Sequence, residues 1–187
     1  MELFCRHASC QPDPGFQNLL ESILGICDGL PLSLKVLGSL FHVNSDNTYW
    51  EGILSRIHGL PDIQQTLRIS YDSLNEEEKH MFLYISCFLI GEKSDTAIKI
   101  WDQSGGKCFV FQNLQKKSLV EVDSENCIHM HDHLRELGRE SAEDSGFHNP
   151  RLWDRTENDN IAVLLRTLKQ SDVSASVIQA FKEFIQY

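Results

Sequence analysis

Cys127-Ile-His-Met-His-Asp-His-Leu-Arg-Glu-Leu-Gly-Arg-Glu140 places three histidines and an aspartate where a strand gives way to a helix. Upstream, Ser118-Leu-Val-Glu-Val-Asp-Ser-Glu-Asn-Cys-Ile-His-Met130 reads as a hairpin, two β-rich runs flanking the polar turn Asp123-Ser-Glu-Asn126. Downstream, Leu134, Leu137 and Gly138 recur at helical spacing, with Asp132 placed to cap that helix. His131 would then stand at a helix N-terminus, where backbone N–H groups and the dipole favour an anion such as phosphate.

Three readings of this stretch are open on the residues alone. It could be a strand edge with exposed histidines and a capping aspartate. It could be a metal site, because His129, His131 and His133 would share one face if the strand ran on. That requires strand past Asp132, against the helical pattern, and no acid or cysteine nearby completes the set. The third reading is a phosphate sensor.

The chain has 187 residues, 41% of them apolar, enough for one good core or two small ones. A net charge of -10 disfavours a nucleic-acid or anionic-membrane surface as the main business. The longest apolar run, Met81-Phe-Leu-Tyr-Ile-Ser-Cys-Phe-Leu-Ile90, is far too short to span a bilayer. No charged n-region followed by an apolar h-region stands at residue 1, so no secretory signal is expected. Cys5, Cys10, Cys27, Cys87, Cys108 and Cys127 are scattered without a CxxC pair, and Cys27 and Cys87 lie in apolar patterns as small core residues do. A reduced compartment, cytoplasmic or nuclear, is expected.

Taken in order, Met1 to Ala8 reads like the interior of a helix with no cap in front, as expected of a fragment of a longer chain. A turn at Gln11–Gly15 leads to a helix over Phe16 to Cys27, with Leu19, Leu20, Ile23 and Leu24 on its inner face. Asp28-Gly29 ends it, and Pro31 fits the first turn of a third helix that is apolar almost all round. Asn44 to Asp46 cap a fourth helix bearing Trp50, Ile53 and Leu54. Gly59-Leu-Pro61 marks a subdomain boundary. Ile63–Tyr71 opens the second unit. Glu76-Glu-Glu78 is a solvated, dipole-complementing start to a long helix through Leu89, which Gly91 stops. Ser94 caps Asp95–Gln103, and Phe109–Lys117 is a short helix.

The fold class is therefore mostly α: a four-helix subdomain over about residues 1–60, then a winged-helix subdomain over about 61–146 with a two-stranded wing. Beyond Ser145-Gly146 the pattern weakens, with Arg151-Leu-Trp-Asp154 a candidate anchor and helices expected over Asn160–Lys169 and Val177–Tyr187.

The catalytic inventory is thin. The sequence holds no G-x-x-x-x-G-K-[ST] loop, no H-E-x-x-H and no G-x-S-x-G. Gly105-Gly-Lys107 is too short to cradle a phosphate. Lys116-Lys117 with Arg135 and Arg139 could form a small basic face, but no longer basic stripe supports sequence-specific DNA recognition.

Gly29-Leu-Pro-Leu-Ser-Leu-Lys-Val-Leu-Gly38 resembles the GLPL motif of plant nucleotide-binding leucine-rich-repeat immune receptors. Leu67-Arg-Ile-Ser-Tyr-Asp-Ser-Leu74 and Phe82-Leu-Tyr-Ile-Ser-Cys-Phe88 resemble their winged-helix segment in the TIR class. Met130-His-Asp132 with Leu134–Glu140 is similar to the MHD motif and its following helix, and Glu2-Leu-Phe with His7-Ala8 matches the lead into GLPL. The four stand in the family's order over residues 1 to about 156.

The resemblance implies the C-terminal part of the NB-ARC region of an intracellular immune receptor, a switch that holds ADP when off and ATP when on. Pro31 would pack near the adenine and His131 would contact the β-phosphate; Gly29, Leu30, Leu32, Met130 and Asp132 would support them. Ser33 departs from the usual alanine, and Tyr84 from the usual aspartate. The phosphate-binding loop and acidic metal-binding strand of such receptors have no counterpart in these residues, so no enzyme and no tightly bound cofactor are expected of this chain alone. Residues 147–187 would lead toward a repeat domain. The expected partners are other receptor domains or full-length paralogues, not nucleic acid or membrane. The rival expectation is a truncated interaction module that pairs with full-length receptors and binds no nucleotide.

Overall fold

The computed structural model describes residues 2–8, 17–44, 46–55, 63–95, 97–98 and 108–144. The expected turns at 11–15, 59–61 and 105–106, and every expectation for 147–187, lie outside the described residues. The chain divides into two compact units.

The first unit holds α1 (Glu2–Ala8), α2 (Gln17–Cys27), α3 (Pro31–Val43), α4 (Asn47–Leu54) and α5 (Ile63–Asp72). It extends to Asn75, past the boundary expected near residue 60, because α5 packs on α3 and α2. Pro31 occupies the first turn of α3, where its missing N–H leaves no bond unmade. Asp46 caps α4, its Oδ1 accepting from the Thr48 amide at 2.8 Å and the Thr48 hydroxyl at 2.7 Å.

The core of this unit gathers Phe4, Leu20, Ile23, Cys27, Leu37, Leu40, Phe41 and Trp50. Phe4 tilts on Phe41 at 5.8 Å between ring centroids, and Phe41 on Trp50 at 5.6 Å. Each such buried side chain removes enough apolar surface from water to contribute about 1.5–3 kcal/mol. The Trp50 indole N–H donates to the Asn44 carbonyl at 2.7 Å, so the buried ring keeps its polar bond. α1 lies close over α3 at Gly38, where a β-carbon would stand 2.8 Å from the Phe4 carbonyl oxygen.

One stretch from far along the chain belongs to this unit: Lys116–Leu119. Ser118 takes a left-handed backbone (φ 56), and its hydroxyl meets that of Ser39 on α3 at 2.7 Å, both buried.

The second unit holds the described residues from Glu76 to Gln115 and from Val120 on. α6 (Glu76–Tyr84) continues as a π-helical turn, Ile85–Leu89. α7 (Cys108–Lys116) precedes the hairpin of β1 (Glu121–Val122) and β2 (Ile128–His129), and α8 (Asp132–Asp144) closes the unit. The strands pair antiparallel, Glu121 opposite His129 and Val122 opposite Ile128.

Gly91–Ser94 joins the free edge of β2, which was not expected. The Gly91 amide donates to the Ile128 carbonyl, the Ile128 amide to the Glu92 carbonyl, and the Ser94 amide to the Asn126 carbonyl. The Ser94 hydroxyl, expected to cap the next helix, donates to Asn126 Oδ1 at 2.6 Å.

α8 packs against α6 and the π turn. Gly138 makes this approach: a β-carbon there would meet Ser86 Oγ at 2.2 Å and Phe82 Cε1 at 3.2 Å. Glu78 is not the solvated helix start that the acidic run suggested. It is 4% exposed, and Asn113 on α7 donates to its Oε1 at 3.1 Å. A buried carboxylate needs such a partner, and here it comes from 35 residues away. Among the described residues no helix is long and apolar enough to cross a membrane.

Candidate functional site

The sequence-derived site residues fall into two groups, one in each unit. In the first unit, α2 ends at Asp28 (φ 43) and Gly29 (φ 71), two successive left-handed residues. Only glycine adopts such a backbone without steric cost, which accounts for Gly29 at the head of the motif. The Leu30 amide closes the turn onto the Cys27 carbonyl at 2.8 Å. Leu30 is 39% exposed, Pro31 is exposed and Leu32 half-buried. Ser33 is fully buried, with no hydrogen-bond partner for its hydroxyl among the described residues. An unpaired buried hydroxyl is destabilising, a cost that alanine at this position would not carry.

The second group sits at the tip and root of the wing. Asp123 organises the tip: Oδ1 accepts from the Glu125 amide at 2.8 Å and the Cys127 amide at 2.9 Å, and Oδ2 lies 2.7 Å from His129 Nε2. These bonds, the Cys127 amide first and the His129 ring next, hold its carboxyl below the usual aspartate range. Asn126 turns through a left-handed backbone (φ 65), and Lys93 Nζ donates to the Glu125 carbonyl.

At the root of the wing the chain passes from β2 through half-buried Met130 into α8. The helix begins at Asp132, and the Arg135 amide donates to the His131 carbonyl at 3.0 Å. The residue whose carbonyl accepts the first intrahelical bond is the cap. That residue is His131, one position before the aspartate expected there. Its imidazole does the capping: Nδ1 accepts from the His133 amide at 3.3 Å. Asp132 is an exposed acid in the first turn, where it complements the helix dipole.

With Nδ1 acting as acceptor, the neutral His131 ring carries its proton on Nε2. The ring is exposed and stacks on His133 at 5.4 Å between centroids, with 18° between planes. The arrangement offers an N–H donor at the positive end of a helix dipole to an anion.

The three histidines do not share a face, as the metal reading required. His129 is paired with Asp123 on the strand, while His131 and His133 belong to the helix start. Among the described residues no group of three or more His, Cys, Asp or Glu is disposed to hold a metal ion. Of the basic residues considered for DNA, Lys117 is 7% exposed and lies in the first unit, whereas Arg139 is exposed on α8.

Residues 75–145 match the family described as the disease resistance protein Roq1-like winged-helix domain. The chain is 35% identical over 159 residues to disease resistance protein RUN1 of Vitis rotundifolia, covering 82% of this chain and 12% of that protein. It is 35% identical over 144 residues to TMV resistance protein N of Nicotiana glutinosa, 74% of this chain and 12% of the relative. Against the probable disease resistance protein RPP1 of Arabidopsis thaliana it is 36% identical over 155 residues, 79% and 13% of the two. The chain thus spans about an eighth of the length of the curated relatives it matches. By its winged-helix domain, and by the likeness that covers most of its length, the chain belongs to the plant disease resistance proteins of the TIR nucleotide-binding leucine-rich-repeat family.

Proposed function

We propose that this segment is the ADP-sensing part of a nucleotide-dependent switch in a plant immune receptor. The observation that carries the reading is the His131 cap: a backbone amide occupies Nδ1, so the neutral ring presents Nε2–H outward at a helix start. A β-phosphate oxygen is a fitting acceptor for that donor, and the helix dipole adds to the attraction. In the first unit Pro31, an exposed apolar ring held by a fixed turn, is suited to an adenine face. Gly29, Leu30 and Leu32 set that turn, as Met130 and Asp132 set the entry to α8.

These residues bind and report; they do not transfer phosphate. Phosphoryl transfer relies on a phosphate-cradling loop and a held metal ion, and the sequence carries no such loop. Sensing works by differential affinity. A donor that touches ADP in one state and releases ATP in the other shifts the equilibrium between them. The partners are then the other domains of the receptor, or full-length paralogues.

The test is ADP affinity in a receptor that carries this segment, with and without His131→Ala. Loss of a hydrogen bond to a charged acceptor costs about 1.5–3 kcal/mol, so affinity falls about ten- to a hundredfold. An ADP affinity untouched by the substitution would overturn the reading, as would a segment that pairs with full-length receptors and never engages nucleotide.

A further inference from the structure

His133 plays no part in the switch motif, and the metal reading that singled it out is not borne by the geometry. It nevertheless touches His131 twice. Its amide donates to His131 Nδ1, and its ring lies 5.4 Å from the His131 ring at 18°. His133 Nδ1 is also 3.8 Å from Glu136 Oε2, one helical turn on.

The amide bond alone is a weak restraint. It is a single N–H···N bond at 3.3 Å, and an exposed imidazole on two rotatable bonds loses entropy on being fixed. The stack supplies what the amide does not. A parallel ring holds the imidazole plane, and only with that plane held does Nδ1 face the amide. We propose that His133 is a positioning residue for His131: its ring and its amide together hold the His131 imidazole in the Nε2–H tautomer with that proton directed outward.

The consequence for ADP rests on the function proposed above; the positioning itself does not. The primary test therefore uses the 187-residue chain without nucleotide. Long-range ¹H–¹⁵N spectra at about pH 8, where ordinary imidazoles are neutral, report the tautomer of each histidine. The His131 signals are assigned by their loss in His131→Ala. The wild-type chain and His133→Phe, which keeps a flat ring, should both show the Nε2–H pattern at His131. His133→Ala should shift that pattern toward the tautomer mixture of an unrestrained imidazole. A His131 pattern unchanged in His133→Ala, or a His133→Phe chain that behaves like His133→Ala, would overturn the proposal. A variant that fails to fold loses the amide pattern of α8 as well, and His133→Leu, which fills the space without a flat ring, then takes its place: it should shift the His131 pattern as His133→Ala does, and a wild-type pattern in it would overturn the proposal.

The second arm measures ADP affinity in a receptor carrying the same substitutions. An aromatic pair contributes about 0.5–1.5 kcal/mol, which is about a two- to tenfold loss for His133→Ala, with recovery in His133→Phe. If the spectra respond and ADP affinity does not, the positioning stands and the phosphate-sensing reading falls. If the spectra do not respond, the positioning is wrong whatever ADP does.

Discussion

Replacing Gly138 by alanine tests the packing that places the candidate site. A β-carbon at this position would lie 2.2 Å from Ser86 Oγ and 2.5 Å from Ser86 Cβ, well inside contact distance. Ser86 is fully buried and donates to the Leu83 carbonyl at 2.9 Å, so it cannot swing aside without losing that bond. Overpacking of this kind costs about 1–3 kcal/mol, and the short contacts favour the upper end. Alanine in a helix interior returns about 1 kcal/mol relative to glycine. The net expectation is a destabilisation of about 1–2 kcal/mol. Gly25 on α2 provides the internal control, because a β-carbon there meets nothing within 4 Å. Gly25→Ala should stabilise by about 0.5–1 kcal/mol. Urea unfolding followed by circular dichroism reads both as midpoint shifts at constant slope. A Gly138→Ala chain as stable as the Gly25→Ala chain would refute the close approach of α8 to the π turn. Ser86→Gly combined with Gly138→Ala should recover part of the loss, because the two sites are in contact.

Three further outcomes follow from particular contacts. Ser39→Ala should destabilise the first unit by about 1–3 kcal/mol by leaving the buried Ser118 hydroxyl unpaired, and the Ser39→Ala/Ser118→Ala pair should cost less than the sum, as double-mutant unfolding would show. The wing tip should loosen in acid: Asp123 has its carboxyl lowered from 3.8, so its contribution is complete above that pH and is lost as pH falls below it, seen as faster hydrogen exchange at the Glu125 and Cys127 amides. The Cys27 thiol, pushed up to about 12 by burial, should resist alkylation at neutral pH in the folded chain and react at an ordinary rate in urea.

The elements with local signals were legible in the sequence. Pro31 marks the start of α3 because a proline at a first turn sacrifices no bond, and Asn44–Asp46 marks that of α4, where the Asp46 carboxylate reaches the Thr48 amide two residues on. The hairpin was legible because Asp123–Asn126 is a turn whose bonds stay within five residues. What escaped depended on distant partners. Glu78 looked like an acid in water, and only Asn113 explains its burial. Gly91–Ser94 carries no strand pattern and joins the wing only because the edge of β2 accepts it. Lys116–Leu119 reads as the junction between a helix and the hairpin, yet Ser118 is tied to Ser39, 79 positions earlier. At the candidate site, the helix was read correctly and its cap was misplaced by one. Capping preference favours aspartate over histidine, but the bond from the Arg135 amide ends at His131. In the proposed function, capping through Nδ1 is what leaves Nε2–H of the neutral ring for a ligand.

The central claim is a contact between His131 and the β-phosphate, and AMP lacks that group while sharing the rest of ADP. Calorimetric titration of AMP and of ADP into a receptor carrying this segment, wild type and His131→Ala, isolates the contact. The account predicts that the substitution weakens ADP about ten- to a hundredfold and leaves AMP within about twofold. An equal loss for both nucleotides, or no loss for either, would contradict it.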